Sequence, residues 1–171
     1  MRANLYAYSL AALIALGVTP ALSLDIDKAT GPFANTIGQP PDEAAMQSRL
    51  PQAHDELWSK FFNCKLGYNE ETGVYSIHLT REVKVLDGKT VTLRGFVLPM
   101  DGSDQTKHFL LSRNTPVCMY CPPGQPNEVV EVEASKAIEW TDKMVALTGK
   151  LHLVNDQERA VFFKMENAQA K

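Results

Sequence analysis

The chain is short of most features that mark catalytic and nucleic-acid-binding proteins. Its 171 residues include three cysteines and four histidines, so any thiol or metal chemistry must draw on a very small set. Cations are in the minority: 17 Lys and Arg against 20 Asp and Glu leave a net charge of -3, with no basic footprint for nucleic acid or anionic lipid. Neither His-Glu-x-x-His nor Gly-x-Ser-x-Gly occurs. His54-Asp55-Glu56 has no second His one turn on, which excludes a zincin site. Gly88-Lys89-Thr90 ends like a phosphate-binding loop, but Val83 stands where that motif needs its first glycine. A strand is also expected where the motif needs a helix. Glu128, Glu131 and Glu133 are expected along the solvated face of an edge-like strand, and not as an acid/base pair. Internal repeats and low-complexity runs are lacking too.

Long apolar runs are absent except at the start. Arg2 is followed by an apolar stretch from Leu5 to Val18, then by Pro20 and by the small residues Ala21 and Ser23. This is the pattern of a secretory signal peptide, and it is shorter than the ~20 residues needed to span a bilayer. Residues 1–23 are therefore expected to be cleaved after Ser23, placing the protein in the periplasm with no stable membrane insertion. No cysteine follows the cleavage region to carry a lipid. Loss of Arg2 with the leader takes the net charge to -4.

Residues 24–50 hold Gly31-Pro32 and Gly38-Gln39-Pro40-Pro41 and read as an extended leader without a core of its own. Residues 51–171 suit a single domain, large enough to bury a core unaided. Pro51 can open a helix in which Leu57, Trp58, Phe61 and Phe62 share a packing face. Thereafter the period changes to two. Strands are expected at 74–79, 82–86, 91–100, 108–112, 128–133, 145–153 and 161–165, with Asp87-Gly88 as a hairpin turn and 134–142 as a helix. Gly95 and Gly149 interrupt strands where a barrel would bulge or bend. From residue 91 the order is three strands, a short helix and two strands. The fold class is accordingly mainly β: an OB-like five-stranded barrel with a short helix between its third and fourth strands, preceded by an N-terminal helix. Such barrels often bind single strands in a basic groove, which the acidic balance and the export signal oppose here.

The segment that can carry chemistry runs from Thr115 to Asn127 and contains Cys118-Met119-Tyr120-Cys121-Pro122-Pro123-Gly124-Gln125-Pro126. Pro122 and Pro123 disfavour the helix that a thioredoxin-like cysteine needs, and no βαβ pattern surrounds the pair. Exchange-active dithiol chemistry on another scaffold remains one reading. A structural disulfide is the second, since the periplasm is oxidising and either Cys118–Cys121 or a bond to Cys64 can form. A metal site is the third. Cys118 and Cys121 supply half of a tetrahedral zinc site or a start for copper(I), with the remaining ligands drawn from Cys64, His78, His108 or His152. His108 opens the strand that feeds the loop and is the best-placed of these. Cys64 is equally compatible with burial as an apolar residue. The loop can also act as a rigid proline-rich recognition surface formed by Tyr120, Pro122, Pro123, Pro126 and Asn127.

Four pieces occur in order: Leu86 to Val91, Gly95-Phe96-Val97-Leu98-Pro99, Phe109-Leu110-Leu111, and Cys118 to Asn127. In this the chain resembles an uncharacterised family of exported bacterial proteins, a domain of unknown function, over about half its length. The resemblance implies a periplasmic location and an OB-like barrel. Some members are encoded near transporter components and are linked to zinc supply, which implies metal handling and a periplasmic or inner-membrane transporter partner. Two positions depart from the pattern. Tyr120 stands where relatives carry His, and Gly124 interrupts the proline run.

Overall fold

A computed structural model describes residues 45–117 and 123–171. The described elements are, in order, helix α1 (Glu56–Phe62), strands β1 (Lys65–Asn69) and β2 (Val74–His78), helix α2 (Arg81–Lys84), strands β3 (Thr90–Pro99) and β4 (Gln105–Ser112), a 3-10 turn (Pro126–Glu128), and strands β5 (Val129–Glu139), β6 (Val145–Asp156) and β7 (Val161–Ala170). The protein is mainly β. Strands β3 to β7 close into a ring in the order β3-β4-β5-β7-β6, and β5 runs parallel to β7 while the other neighbours are antiparallel. The OB-like reading holds at this level.

Alternation builds the ring's interior. Leu93 and Val97 on β3, Phe109 and Leu111 on β4, Val130 and Val132 on β5, Leu147 and Leu151 on β6, and Phe163 and Met165 on β7 are all buried. Successive strand side chains take opposite faces, so residues two apart share the core. Gly95 lies where β3 changes partner: residues 90–95 pair with β6 and residues 96–99 with β4. A Cβ there would stand 2.6 Å from the Ser112 carbonyl oxygen, so only glycine lets the two strands come this close. Gly149 marks a second irregularity, the register shift between β6 and β7.

Three expectations are corrected. The helix placed at 134–142 is not there; residues 134–139 continue β5, with Ile138 paired to Thr106 and Glu139 to Gln105. Ala-Ser-Lys-Ala-Ile-Glu has helical composition, but pairing with a strand on each side outweighs a preference worth tenths of a kcal/mol per residue. The strand expected at 82–86 begins instead as α2, whose first turn is capped by the Thr80 hydroxyl accepting from the Val83 amide at 3.3 Å. Gly88 then leads into β3 with no hairpin. A strand at 65–69, not foreseen, pairs with β2 in a separate two-stranded sheet.

Helix α1 begins at Glu56 and not at Pro51, whose carbonyl is taken by the Thr115 hydroxyl, and it carries Trp58 and Phe61 into the core. Phe61 stacks on Phe163 of β7 with ring centroids 4.0 Å apart, and Trp58 donates from Nε1 to the Arg94 carbonyl at 2.7 Å. Leu57 is half-buried against the same core, but Phe62 turns outward under the Arg113 guanidinium, 5.6 Å from its ring centroid. Among the described residues, no helix is long and apolar enough to cross a membrane.

Candidate functional site

Cys118, Tyr120, Cys121 and Pro122 lie outside the described residues, but both limbs of their loop are well placed. The entering limb, 113–117, leaves β4; the returning limb, 123–128, leads into β5. A dense set of buried polar contacts joins them. The Asn114 side-chain amide donates to the Pro123 carbonyl at 3.0 Å, toward which the Ser112 hydroxyl also points at 3.4 Å. Arg113 pairs with Glu128 Oε1 at 2.6 Å, and its backbone N–H donates to the Glu128 carbonyl at 2.9 Å. The second Glu128 oxygen accepts from the Gln125 amide at 3.0 Å, closing the cap of the 3-10 turn.

The returning limb owes its path to its sequence. Pro126 opens the 3-10 turn, where its missing N–H costs nothing. Gly124 has φ +138, and a Cβ on it would meet Asn114 Nδ2 at 2.6 Å and Glu128 Oε2 at 2.7 Å. Asn127 donates from Nδ2 to the Cys64 carbonyl at 3.2 Å and toward that of Phe62 at 3.4 Å, while its buried Oδ1 has no partner among the described residues. The entering limb is tied to the segment before α1. The Ala53 amide donates to the Arg113 carbonyl at 2.8 Å, and the Thr115 hydroxyl donates to the Pro51 carbonyl at 2.6 Å. The buried contacts of Ser112 and Asn114 satisfy groups that would be costly to bury alone.

The remaining candidates are dispersed. Cys64 is buried, with its thiol aimed at the Lys60 carbonyl 3.7 Å away. His78 ends β2 opposite Lys65. His152 stands on β6, with Nε2 3.5 Å from Glu166 and Nδ1 3.9 Å from Asp87. His108 lies four residues before the end of β4, about 13 Å along the strand at ~3.3 Å per residue. Its Nε2 is 2.7 Å from Glu131 Oε1, and an ionised carboxylate only accepts, so the ring donates there and leaves Nδ1 for another partner. Among the described residues, no three His, Cys, Asp or Glu side chains stand together as a metal ion would require.

Glu131 is the residue that sequence reasoning misjudged. Strand β5 is paired on both sides, so it is no edge, and Glu131 and Glu128 are buried while Glu133 is exposed. Arg159, in the turn between β6 and β7, reaches Glu131 Oε1 at 2.9 Å and also holds Asp156 at 2.7 Å. Burial pushes the Glu131 carboxyl up, but the hydrogen bonds from Arg159 and His108 outweigh it and hold the group below the usual carboxylate range. The result is a clamp tying the turn at 157–160 to the ring, beside a cleft of about 710 Å³ lined by Glu131, Asp156, Arg159 and Lys164. Glu131 lies 23 residues from His108 and 28 from Arg159, which no local spacing shows.

The fold and the braced limbs define an OB-like β module that carries one elaborated loop between its second and third ring strands. The particular family follows from the sequence. Residues 40–169 match the family described as protein of unknown function, DUF3299, and the chain belongs to it. A crystal structure at 2.45 Å resolution of a DUF3299 family protein from Pseudomonas aeruginosa PAO1 is similar at 21% identity and a TM-score of 0.43, covering 56% of this chain and 68% of that one. No curated protein matches the chain.

Proposed function

We propose that this protein is a periplasmic accessory module that presents the Cys118–Cys121 loop to a metal ion, zinc or copper(I), as cargo for a transporter component. The observation that carries the reading is the bracing of the loop's two limbs. Asn114, Pro123, Gly124 and Glu128 hold the limbs at 113–117 and 123–128 together, so the chain enters and leaves the cysteine segment at fixed points. Preorganisation of that kind lowers the entropy lost when a ligand binds. The Cys-x-x-Cys spacing supports a soft metal, the leader supports export, and the acidic balance supports neither nucleic acid nor anionic lipid as partner. The reading rests on Cys118 and Cys121; the Cys64 thiol stands beside the Lys60 carbonyl, and His108 meets Glu131 through Nε2.

The test is an anaerobic titration of the exported protein with zinc and with copper(I), thiols being counted before and after reduction. One tightly bound equivalent that disappears in Cys118→Ser is the expected result. No binding, with two thiols that appear only on reduction, would refute metal handling and leave a disulfide-stapled recognition loop. A measured potential below about -300 mV would then mark that bond as structural and remove the exchange-active alternative.

A further inference from the structure

Beside the loop's entering limb lies an apolar groove that metal handling leaves unused. Phe96 and Leu98 of β3 form its floor, Thr115 to Val117 one wall, and Trp140 to Asp142, just past β5, the other. Its volume is about 140 Å³. A cavity of ~150 Å³ with apolar walls accepts a benzene ring, so the groove has room for one aromatic or branched aliphatic side chain. Trp140 leaves 42% of its surface exposed at the rim, and Met100, at the end of the floor strand, leaves 40%. The Trp140 amide donates to the Asp104 carbonyl at 2.7 Å, which sets the 101–104 turn beside it.

Acidic residues predominate around the groove. Residues 101–104 and 139–142 include Asp101, Asp104, Glu139 and Asp142 and no Lys, Arg or His; Lys143 closes the run. Asp142 lines the groove itself; in the neighbouring 101–104 turn the Ser103 hydroxyl and amide donate to Asp101 and, with His108 nearby, hold its carboxyl below the usual range, so that turn stays ionised into mild acid. An apolar slot in an acidic rim repels anionic headgroups and acidic peptides and attracts cations.

We propose that this groove docks an extended segment of a partner protein, one apolar side chain filling the slot and flanking lysines or arginines meeting the acidic rim. The inference rests on the accessory-module reading and supplies its partner contact. Thr115, Pro116 and Val117 belong both to the groove and to the limb that leads to Cys118, so a partner seated here is delivered to the cysteine loop.

The experiment is an amide and indole NMR titration of the whole exported protein with three synthetic peptides. The first has one phenylalanine between pairs of lysines, the second has glutamates in place of the lysines, and the third has serine in place of the phenylalanine. The first peptide is expected to shift Phe96, Leu98, Val117 and the Trp140 indole, while the other two leave them in place. Trp140→Ser should abolish the response, and Asp142→Asn should weaken it about two- to fivefold, as loss of one exposed ion pair would. Equal response to the glutamate peptide, shifts centred elsewhere, or silence at millimolar peptide overturns the proposal. Concentration-dependent shifts of the same signals in the protein alone would assign the groove to a second copy. Movement of those signals on Phe33→Ser would assign it to the chain's own leader, and either result overturns the proposal too. Cys118→Ser should leave the peptide response intact and Trp140→Ser should leave metal binding intact, so the two readings fail separately.

Discussion

Gly124→Ala probes the brace under the cysteine loop with a single methyl group. At φ +138 the backbone lies in a region that L side chains rarely adopt, which costs about 1–3 kcal/mol by itself. The new Cβ would stand 2.6 Å from Asn114 Nδ2 and 2.7 Å from Glu128 Oε2. Neither neighbour can move freely: Asn114 is held on the Pro123 carbonyl, and Glu128 is held by Arg113 and the Gln125 amide. Breaking one or two of these bonds adds ~1 kcal/mol each, for a total of about 2–5 kcal/mol. Gly102→Ala is the control. It also has positive φ, at +68, but nothing lies within 4 Å of the added Cβ, so it should cost only the ~1–2 kcal/mol of a left-handed residue. Urea unfolding of both variants measures the difference, and differential scanning should show Gly124→Ala melting about 5–15 °C below the parent. Equal destabilisation in the two variants would refute the view that Asn114 and Glu128 lock the returning limb.

Other consequences follow from the same geometry. Phe61→Ala removes the ring stacked on Phe163 and should cost about 3–5 kcal/mol in denaturant unfolding; a loss under 1 kcal/mol would mean that α1 is not part of the core. Glu131 is held below its ordinary value of 4.5 in the folded state, so its contribution is present above that pH and is lost as pH falls through the lower, folded value. Glu131→Gln should therefore flatten the acid limb of the stability–pH curve below about pH 4.5, and an unchanged limb would contradict the clamp. Cys64→Ala should leave zinc stoichiometry unchanged, since the thiol faces Lys60; loss of the metal would return Cys64 to the ligand set.

The five ring strands were legible because alternation carries the core: Val145, Leu147, Gly149 and Leu151 announce β6 as plainly as Val91, Leu93 and Gly95 announce β3. Gly95 marks the point where β3 changes partner, and Gly149 falls at the register shift between β6 and β7. Residues 134–139 were not legible, because local composition favours a helix while Thr106 and Ala168, distant in sequence, supply the pairing that makes a strand. Residues 82–86 failed in the opposite direction. An alternating pattern over five residues is also compatible with one helical turn, and the Thr80 cap decides between them. At the loop, the cysteine spacing and the prolines stood out at once, but the brace beneath them did not. Asn114 and Glu128 meet Gly124 only after β4 and β5 have paired, and the interruption of the proline run by Gly124 was the one local sign that backbone comes close there. Glu131 was hidden for the same reason, its partners lying on a different strand and a distant turn.

The most direct test of the central claim is X-ray absorption at the zinc edge of the metal-loaded protein. Two sulfur neighbours at ~2.3 Å, falling to one in Cys118→Ser, are what the account requires. A first shell of nitrogen and oxygen alone at ~2.0–2.2 Å, unchanged by the substitution, would show that the metal sits elsewhere and that the Cys118–Cys121 loop does not hold it.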